Sequence, residues 1–186
     1  MGRQSKKMRE LLAANDYLIA PCAYDALSAR AIEAAGFPIA GTTGYGMHGV
    51  VLGQPDTGLL ALNETVSILS KMVDAVDIPI LADAEGGYGS AMNVIRAVRE
   101  YEKAGVAGLF IEDQKQPPNC PFIKAPEVIS TEEMVGKIRA AAETRQDSDM
   151  VIIARTDAPF EEAIERANAY LEAGADMVKI LPKSRQ

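Results

Sequence analysis

Three apolar segments of this chain end in charged side chains of the kind that bind metal ions or anionic substrates. Asp83 and Glu85 follow the first segment, Glu112 follows the second, and Arg155 ends the third. Carboxylates held close together repel one another unless a cation or a proton lies between them. The chain has 1 histidine and no Cys-x-x-Cys pair, which predicts Mg²⁺ or Mn²⁺ rather than zinc. The alternatives are a helix cap for Asp83 and a solvated turn position for Glu85.

Arg155 emerges from a run of apolar residues, and a buried arginine needs a partner. It could form a structural ion pair with Asp157 or Glu112. It could instead be a bidentate clamp for a substrate carboxylate or phosphate, and we favour the clamp.

Residues 44–58 are rich in glycine and are predicted to form a long loop. Asp56 follows a proline there, so it is either a plain turn residue or a group that reaches the metal through water. His48 is predicted to be a surface residue of the same loop.

The two cysteines suggest different roles. Cys22 ends the first apolar run and is expected to be a small packing residue. Cys120 lies in a proline-rich stretch that follows the Glu112 segment. Its thiol could act as an acid or base over the site, or it could be a spectator, and the residue types leave both alternatives open.

The elements that must position these residues follow a repeated unit, in which a helix ends at an Ala-Gly stop and a short apolar run follows. The runs are continuous, as in parallel strands that are buried on both faces. Predicted strands lie near 17–23, 38–43, 78–83, 106–111, 150–154 and 176–181. Predicted helices lie near 25–35, 62–76, 90–104, 130–145 and 160–173. The N-terminal residues are predicted to form a short amphipathic helix.

Alternating strands and helices indicate a parallel α/β fold, either a doubly wound sheet or a (β/α)8 TIM-type barrel. The regular repeat and the lack of a Gly-x-Gly-x-x-Gly motif favour the barrel. A full barrel usually takes about 250 residues and eight strands, whereas this chain has 186 residues and six predicted strands. We therefore expect residues 1–186 to be a single, incomplete barrel domain of a truncated chain.

Composition restricts the partners of the chain. Its net charge of −7 disfavours nucleic acid and anionic membranes, and no apolar run approaches the roughly 20 residues that cross a bilayer. The two cysteines do not form a disulfide framework, which suits a reducing cytoplasm. We expect a cytoplasmic protein with a small-molecule partner.

Several motifs together resemble the isocitrate lyase / phosphoenolpyruvate mutase superfamily, most closely its 2-methylisocitrate lyase-like members. In chain order they are PCAYDALSARAIEAAGF, LGQPDTGLL, DAEGGYG, GLFIEDQ, VISTEEMVGKIRAA and VIIARTDA. The resemblance runs from about residue 17 to residue 178. It implies a Mg²⁺-dependent barrel that cleaves or forms C–C or P–C bonds of 2-oxo and 2-hydroxy acids through a metal-held enolate.

The resemblance also implies roles for individual residues. Asp83 would be the direct metal ligand, and Asp56, Glu85 and Glu112 would contribute through water. Thr43, Gly44 and Tyr45 would hold a substrate carboxylate, Arg155 would bind the oxo-acid part, and Cys120 falls where lyases of the superfamily keep a catalytic cysteine. It further implies that the full-length parent is a homo-oligomer.

Two departures from the pattern concern the chemistry. Glu85 stands where the superfamily commonly has a second Asp, and Cys120 lacks the basic residues and the His that flank it in lyases. The favoured activity is a Mg²⁺-dependent carbon–carbon lyase acting on a small 2-hydroxy or 2-oxo dicarboxylate. The alternatives are an oxaloacetate-type decarboxylase, a phosphonopyruvate-handling enzyme, and a non-catalytic fragment that binds divalent ions.

Overall fold

The computed structural model describes residues 2–119 and 126–181. A six-stranded parallel sheet forms their centre, and its strand order follows the chain from β1 to β6. A doubly wound sheet would reverse its order at a switch point, so the unreversed order confirms the barrel-type prediction. The strands are β1 (Cys22–Ala23), β2 (Ala40–Thr42), β3 (Ile80–Asp83), β4 (Gly108–Glu112), β5 (Val151–Thr156) and β6 (Met177–Ile180).

Helices alternate with these strands as the sequence predicts, and an N-terminal helix precedes them. They are α1 (Arg3–Ala14), α2 (Ala26–Ala34), α3 (Gly44–Leu52), α4 (Leu62–Ala75), α5 (Ala91–Ala104), α6 (Thr131–Thr144) and α7 (Phe160–Glu172). None of the helices within the described ranges is long and apolar enough to cross a membrane.

Two apolar layers hold the sheet in place. The larger layer lies between the sheet and its helices and includes Leu69, Met72, Ile138 and Ile152. The smaller layer, built around Phe110, contains side chains of the opposite sheet face together with Met8 of α1. Strand residues alternate between these layers because successive side chains of a strand point to opposite faces.

The prediction of a continuous loop over 44–58 is wrong, because the first nine of these residues form α3. The Thr43 side chain accepts a hydrogen bond from the Gly46 amide and caps the start of the helix. Gly53 ends it in a left-handed conformation, with φ 62°. The many glycines obscured a helix whose two end signals were both present in the sequence.

Candidate active site

A cavity of about 530 Å³ lies at the carboxyl ends of the strands, where α/β barrels carry their chemistry. All the site residues proposed from the sequence line it, except the one that lies outside the described residues, Cys120. The lining includes Thr43, Gly44, Tyr45, Asp56, Asp83, Glu85, Glu112 and Arg155. It also includes Gln114, Asn119 and Lys179, for which the sequence analysis gave no role.

Three carboxylates meet at Gly44, the first residue of α3. A β-carbon on Gly44 would lie 2.4 Å from Glu85 Oε1, 3.2 Å from Asp56 Oδ2 and 3.3 Å from Asp83 Oδ2. The Gly44 amide also donates a hydrogen bond of 3.2 Å to Asp83 Oδ2. The close approach of these oxygens therefore depends on the absence of a side chain at Gly44.

Glu85 is held in an unusual backbone conformation, with φ 51°. This left-handed region is uncommon for residues other than glycine. The Glu85 amide donates to Asp83 Oδ1 at 2.9 Å, and its carbonyl accepts from the Glu112 amide at 2.9 Å. The two neighbouring acidic residues thus hold Glu85 in place, as is common for strained residues at functional sites.

The acidic groups oppose one another's ionisation. Burial, and then the charges of neighbouring carboxylates, raise the pKa of Glu85 to about 9. Burial also raises the pKa of Glu112 to about 8, although Arg155 opposes the shift. The pKa of Asp83 is raised, again chiefly by burial. A cation among these oxygens would lower the pKa values of the carboxyl groups, because it favours their charged forms.

The donor set fits a hard divalent cation. Every acidic group on the cavity wall offers oxygen, the ligand atom that Mg²⁺ and Mn²⁺ prefer. Asp56 Oδ1 is buried and has no hydrogen-bond partner in the described part of the protein. An unpaired buried oxygen is costly, so a cation or its bound water at this position would remove the cost.

The prediction that His48 is a surface loop residue is wrong, since its side chain is fully buried. Its Nδ1 lies 2.8 Å from the Gly44 carbonyl, and its Nε2 accepts hydrogen bonds from the Leu59 and Leu60 amides. Two N–H donors at Nε2 require the neutral tautomer with the proton on Nδ1. His48 thereby fastens the segment after α3 to the start of that helix.

His48 also lies close to the acidic cluster. Single ligand atoms of His48, Asp56 and Glu85 lie within 4.8 Å of one another, and Nδ1 is 3.4 Å from Asp56 Oδ1. Both ring nitrogens are already committed to the backbone, however, so a metal ion could bind His48 only by displacing one of those bonds. We assign His48 a supporting position and leave the ligand role to the carboxylates.

Arg155 forms the ion pairs that the sequence analysis gave as alternatives to a substrate clamp. Its guanidinium lies 2.8 Å from Glu112 Oε2 and 2.9 Å from Asp157 Oδ2, and it donates a hydrogen bond to Asp157 Oδ1. Arginine has five N–H donors, and Arg155 also lines the cavity. Ion pairing and substrate binding are therefore compatible.

A buried network behind the cavity, which the sequence patterns did not predict, fixes this arginine. Asp113, with no exposed surface, accepts hydrogen bonds from the Thr156 hydroxyl, the Tyr170 hydroxyl and the Asp157 amide. Asp157 in turn holds Arg155. The signal in the sequence was Asp113 itself, an acid directly after Glu112 at the end of an apolar run.

The start of α3 offers backbone donors to an anion. Thr43 caps the helix, and Thr43, Gly44 and Tyr45 line the cavity. The Gly44 amide is used by Asp83, whereas the Tyr45 amide has no acceptor within the described residues. Helix N-termini of this kind bind carboxylates and phosphates.

Cys22 differs from its prediction as a packing residue. The residue as a whole is exposed on β1; partial desolvation of its thiol nevertheless raises the pKa, although Lys179 opposes the shift. No disulfide involves Cys22 in the described part of the chain.

Fold and site together define a class: an α/β barrel-type protein with an acidic, oxygen-lined site at the strand ends. The chain belongs to the phosphoenolpyruvate phosphomutase family, whose model matches residues 8–186. This confirms the resemblance that the sequence motifs indicated.

Named relatives agree with the family. The chain is 49% identical to the 2,3-dimethylmalate lyase of Eubacterium barkeri over 178 residues, which cover 94% of this chain and 62% of the relative. A crystal structure of 2,3-dimethylmalate lyase matches with a TM-score of 0.92 at 36% identity, covering 100% of this chain and 64% of that one. Oxaloacetate acetylhydrolase in complex with the inhibitor 3,3-difluorooxalacetate matches with a TM-score of 0.90 at 38% identity, covering 96% and 63%. The chain thus spans a little under two thirds of the length of these proteins.

Proposed function

We propose that this protein is a Mg²⁺-dependent carbon–carbon lyase acting on a small 2-hydroxy or 2-oxo dicarboxylic acid of the dimethylmalate or methylisocitrate type. The observation that carries the proposal is the convergence of acidic side chains, an arginine and helix-start amides on one cavity. The similarity to a 2,3-dimethylmalate lyase supports the reaction class.

In this proposal Asp83 would bind the metal ion directly, and Asp56, Glu85 and Glu112 would contribute through water. When bound, Mg²⁺ or Mn²⁺ supplies positive charge that stabilises negative charge developing on the oxygens of the substrate. Gly44 keeps the acidic side chains close, and His48 and Asp113 hold the segments that carry Asp56 and Arg155.

The anionic end of the substrate lies between α3 and Arg155. The Tyr45 amide donates to one carboxylate oxygen, with Thr43 and Gly44 forming the helix start around it. Arg155 donates a hydrogen bond to the oxygen at C2. These donors are fixed before the substrate binds, so little reorganisation accompanies the reaction.

The reaction is a retro-aldol cleavage. The C2 hydroxyl gives its proton to water and becomes a carbonyl, the C2–C3 bond breaks, and its electron pair stays on C3. A proton donor then protonates C3, and a dicarboxylic acid yields a 2-oxo acid and a monocarboxylic acid. We assign the protonation to the Cys120 thiol as general acid.

A substrate screen tests this proposal. The protein with Mg²⁺ is incubated separately with 2,3-dimethylmalate, 2-methylisocitrate, isocitrate, oxaloacetate and phosphonopyruvate, and the products are identified by NMR. We expect cleavage of a 2-hydroxy acid that stops when the metal is chelated. Metal binding without product from any of these acids would instead support the non-catalytic alternative.

The same screen decides between the lyase and its nearest competitor. A preference for oxaloacetate, with carbon dioxide and pyruvate as products, would establish the decarboxylase. The 44% identity to the oxaloacetate decarboxylase of Pseudomonas entomophila supports this as the second candidate. Cleavage of phosphonopyruvate would instead establish the phosphonopyruvate-handling enzyme.

Cys120 is tested by Cys120→Ser, with Cys22→Ser as the matched control. A serine hydroxyl is a much weaker acid of similar size, so we expect kcat to fall about 10²- to 10⁴-fold with little change in Mg²⁺ affinity. Cys22→Ser should keep its activity. Activity of Cys120→Ser close to that of the unmodified protein would make Cys120 a spectator.

A further inference from the structure

Three charged residues lie side by side on the cavity face of the last strands. Arg155 of β5 is paired in register with Glu112 of β4 on one side and with Lys179 of β6 on the other. Residues paired in register on neighbouring parallel strands project from the same face of the sheet. Lys179 therefore belongs to the same face as Glu112 and Arg155, and it lines the same cavity.

The two cations in this row differ in their acidic partners. Arg155 is held between the carboxylates of Glu112 and Asp157. Lys179 has no acidic partner within 4 Å in the described part of the chain. Among the described residues that line the cavity, it is the cation whose charge is left for a ligand.

The ammonium group of Lys179 is positioned over the inner apolar layer. Its Nζ lies 4.5 Å from the centre of the Phe110 ring, and Phe110 is only 6% exposed. An aromatic face attracts a cation without neutralising its charge. Lys179 also lies near enough to Cys22 of β1 to oppose the upward shift of the thiol pKa. Lys179 is thus exposed on the cavity face of β6, where a ligand can reach it.

We propose that Lys179 binds the second carboxylate of a dicarboxylic substrate and so determines the specificity of the site. This inference rests on the proposed function, which places the first carboxylate and the C2 oxygen at α3 and Arg155. Neighbouring strands are about 4.8 Å apart, a spacing that a four-carbon dicarboxylic acid can bridge. Monocarboxylic 2-oxo acids would leave Lys179 without a ligand.

The test compares two ligands in the presence of Mg²⁺. Oxalate is a compact dianion with no extension, and 3,3-difluorooxaloacetate carries a second carboxylate further along its chain. Calorimetry measures both affinities for the unmodified protein, Lys179→Met, which removes the charge, and Lys179→Arg, which keeps it. Lys71→Met, on the exposed surface of α4, is the control for the loss of a lysine.

We expect Lys179→Met to bind 3,3-difluorooxaloacetate about 10- to 100-fold more weakly, with little change for oxalate. Lys179→Arg should restore most of the loss, and Lys71→Met should bind both ligands normally. If Lys179→Met loses affinity equally for the two ligands, or for neither, the role of Lys179 is overturned while the proposed function stands. Failure of the unmodified protein to bind either ligand would overturn the proposed function, and this inference with it.

Discussion

Gly44 has no side chain, and carboxylate oxygens of Glu85, Asp56 and Asp83 lie around the space that a β-carbon would need. Substitution by alanine would push the nearest of these, Glu85 Oε1, out of place. Because Glu85 is a flexible side chain at that contact, the fold can adapt while the geometry of the acidic cluster changes.

We therefore predict that Gly44→Ala lowers Mg²⁺ affinity about 10- to 100-fold, with a small change in the free energy of unfolding. Gly49→Ala is the matched control, because it lies in the same helix and a β-carbon there meets nothing within 4 Å. Calorimetry with Mg²⁺ and thermal unfolding measure the two effects. Equal Mg²⁺ affinities of both variants would show that the acidic cluster does not hold the ion.

At the same scale, sequence reasoning placed Asp83, Glu85 and Glu112 together because parallel strands gather their carboxyl ends at one edge of a sheet. It failed for His48, whose burial depends on a later segment folding back to donate two amides. It also missed Lys179, because a lysine in an apolar run resembles a solvated residue until the strand register is known.

At the scale of elements, α1 is fastened to the end of the barrel opposite the cavity by a partly buried ion cluster. Asp176 lies between Arg9 of α1 and Arg145, and its carboxylate also accepts the Ile152 amide. Burial opposes ionisation of Asp176, but the Ile152 amide and the two arginines outweigh it and lower its pKa. The charged form of Asp176 thus stabilises the folded state.

A group with a lowered pKa contributes stability above the pKa of the unfolded chain and loses it as the pH falls through the folded-state value. We predict that Asp176→Asn costs about 1.5–3 kcal/mol at neutral pH. The difference in the free energy of unfolding between this variant and the unmodified protein should shrink as the pH falls below the usual Asp pKa of about 4. Urea titrations at neutral pH and at pH values below about 4 measure this difference, with Asp74→Asn, at an exposed position, as the control. A deficit independent of pH would contradict the ionic role of Asp176.

Element boundaries were predictable where local signals dominate. The Ala-Gly stops at Gly36, Gly105 and Gly174 all take positive φ values, of 87°, 84° and 108°, as a helix C-terminus requires. The α3 helix escaped prediction because its glycines weaken the helical propensity. It is instead held by its Thr43 cap and by buried contacts of Met47 and His48.

At the scale of the whole molecule, β1 and β6 form the two edges of the described sheet, each with a neighbour on one side. Apolar side chains are exposed near the β6 edge, namely Phe160, Ile164, Leu171 and Met177. Unpaired strand edges and apolar patches favour association between chains. That residues 1–186 form one incomplete domain stays a prediction.

We predict that the 186-residue chain self-associates as its concentration rises. Ile164→Glu, which charges the most exposed of these apolar side chains, should weaken the association. Sedimentation velocity over a wide concentration range measures both proteins. A monodisperse monomer at every concentration would contradict this prediction.

The central claim is that the acidic strand ends hold a divalent cation, which in turn is needed to bind a 2-oxo acid or its analogue. The most direct measurement is a calorimetric titration of oxalate into the protein with Mg²⁺ or with chelator. It is repeated for Asp83→Asn and for the control Asp74→Asn. We predict that oxalate binds the unmodified protein and Asp74→Asn only when Mg²⁺ is present, and that Asp83→Asn, still folded, does not bind it. Binding that is equally strong with chelator, or in Asp83→Asn, would contradict the account.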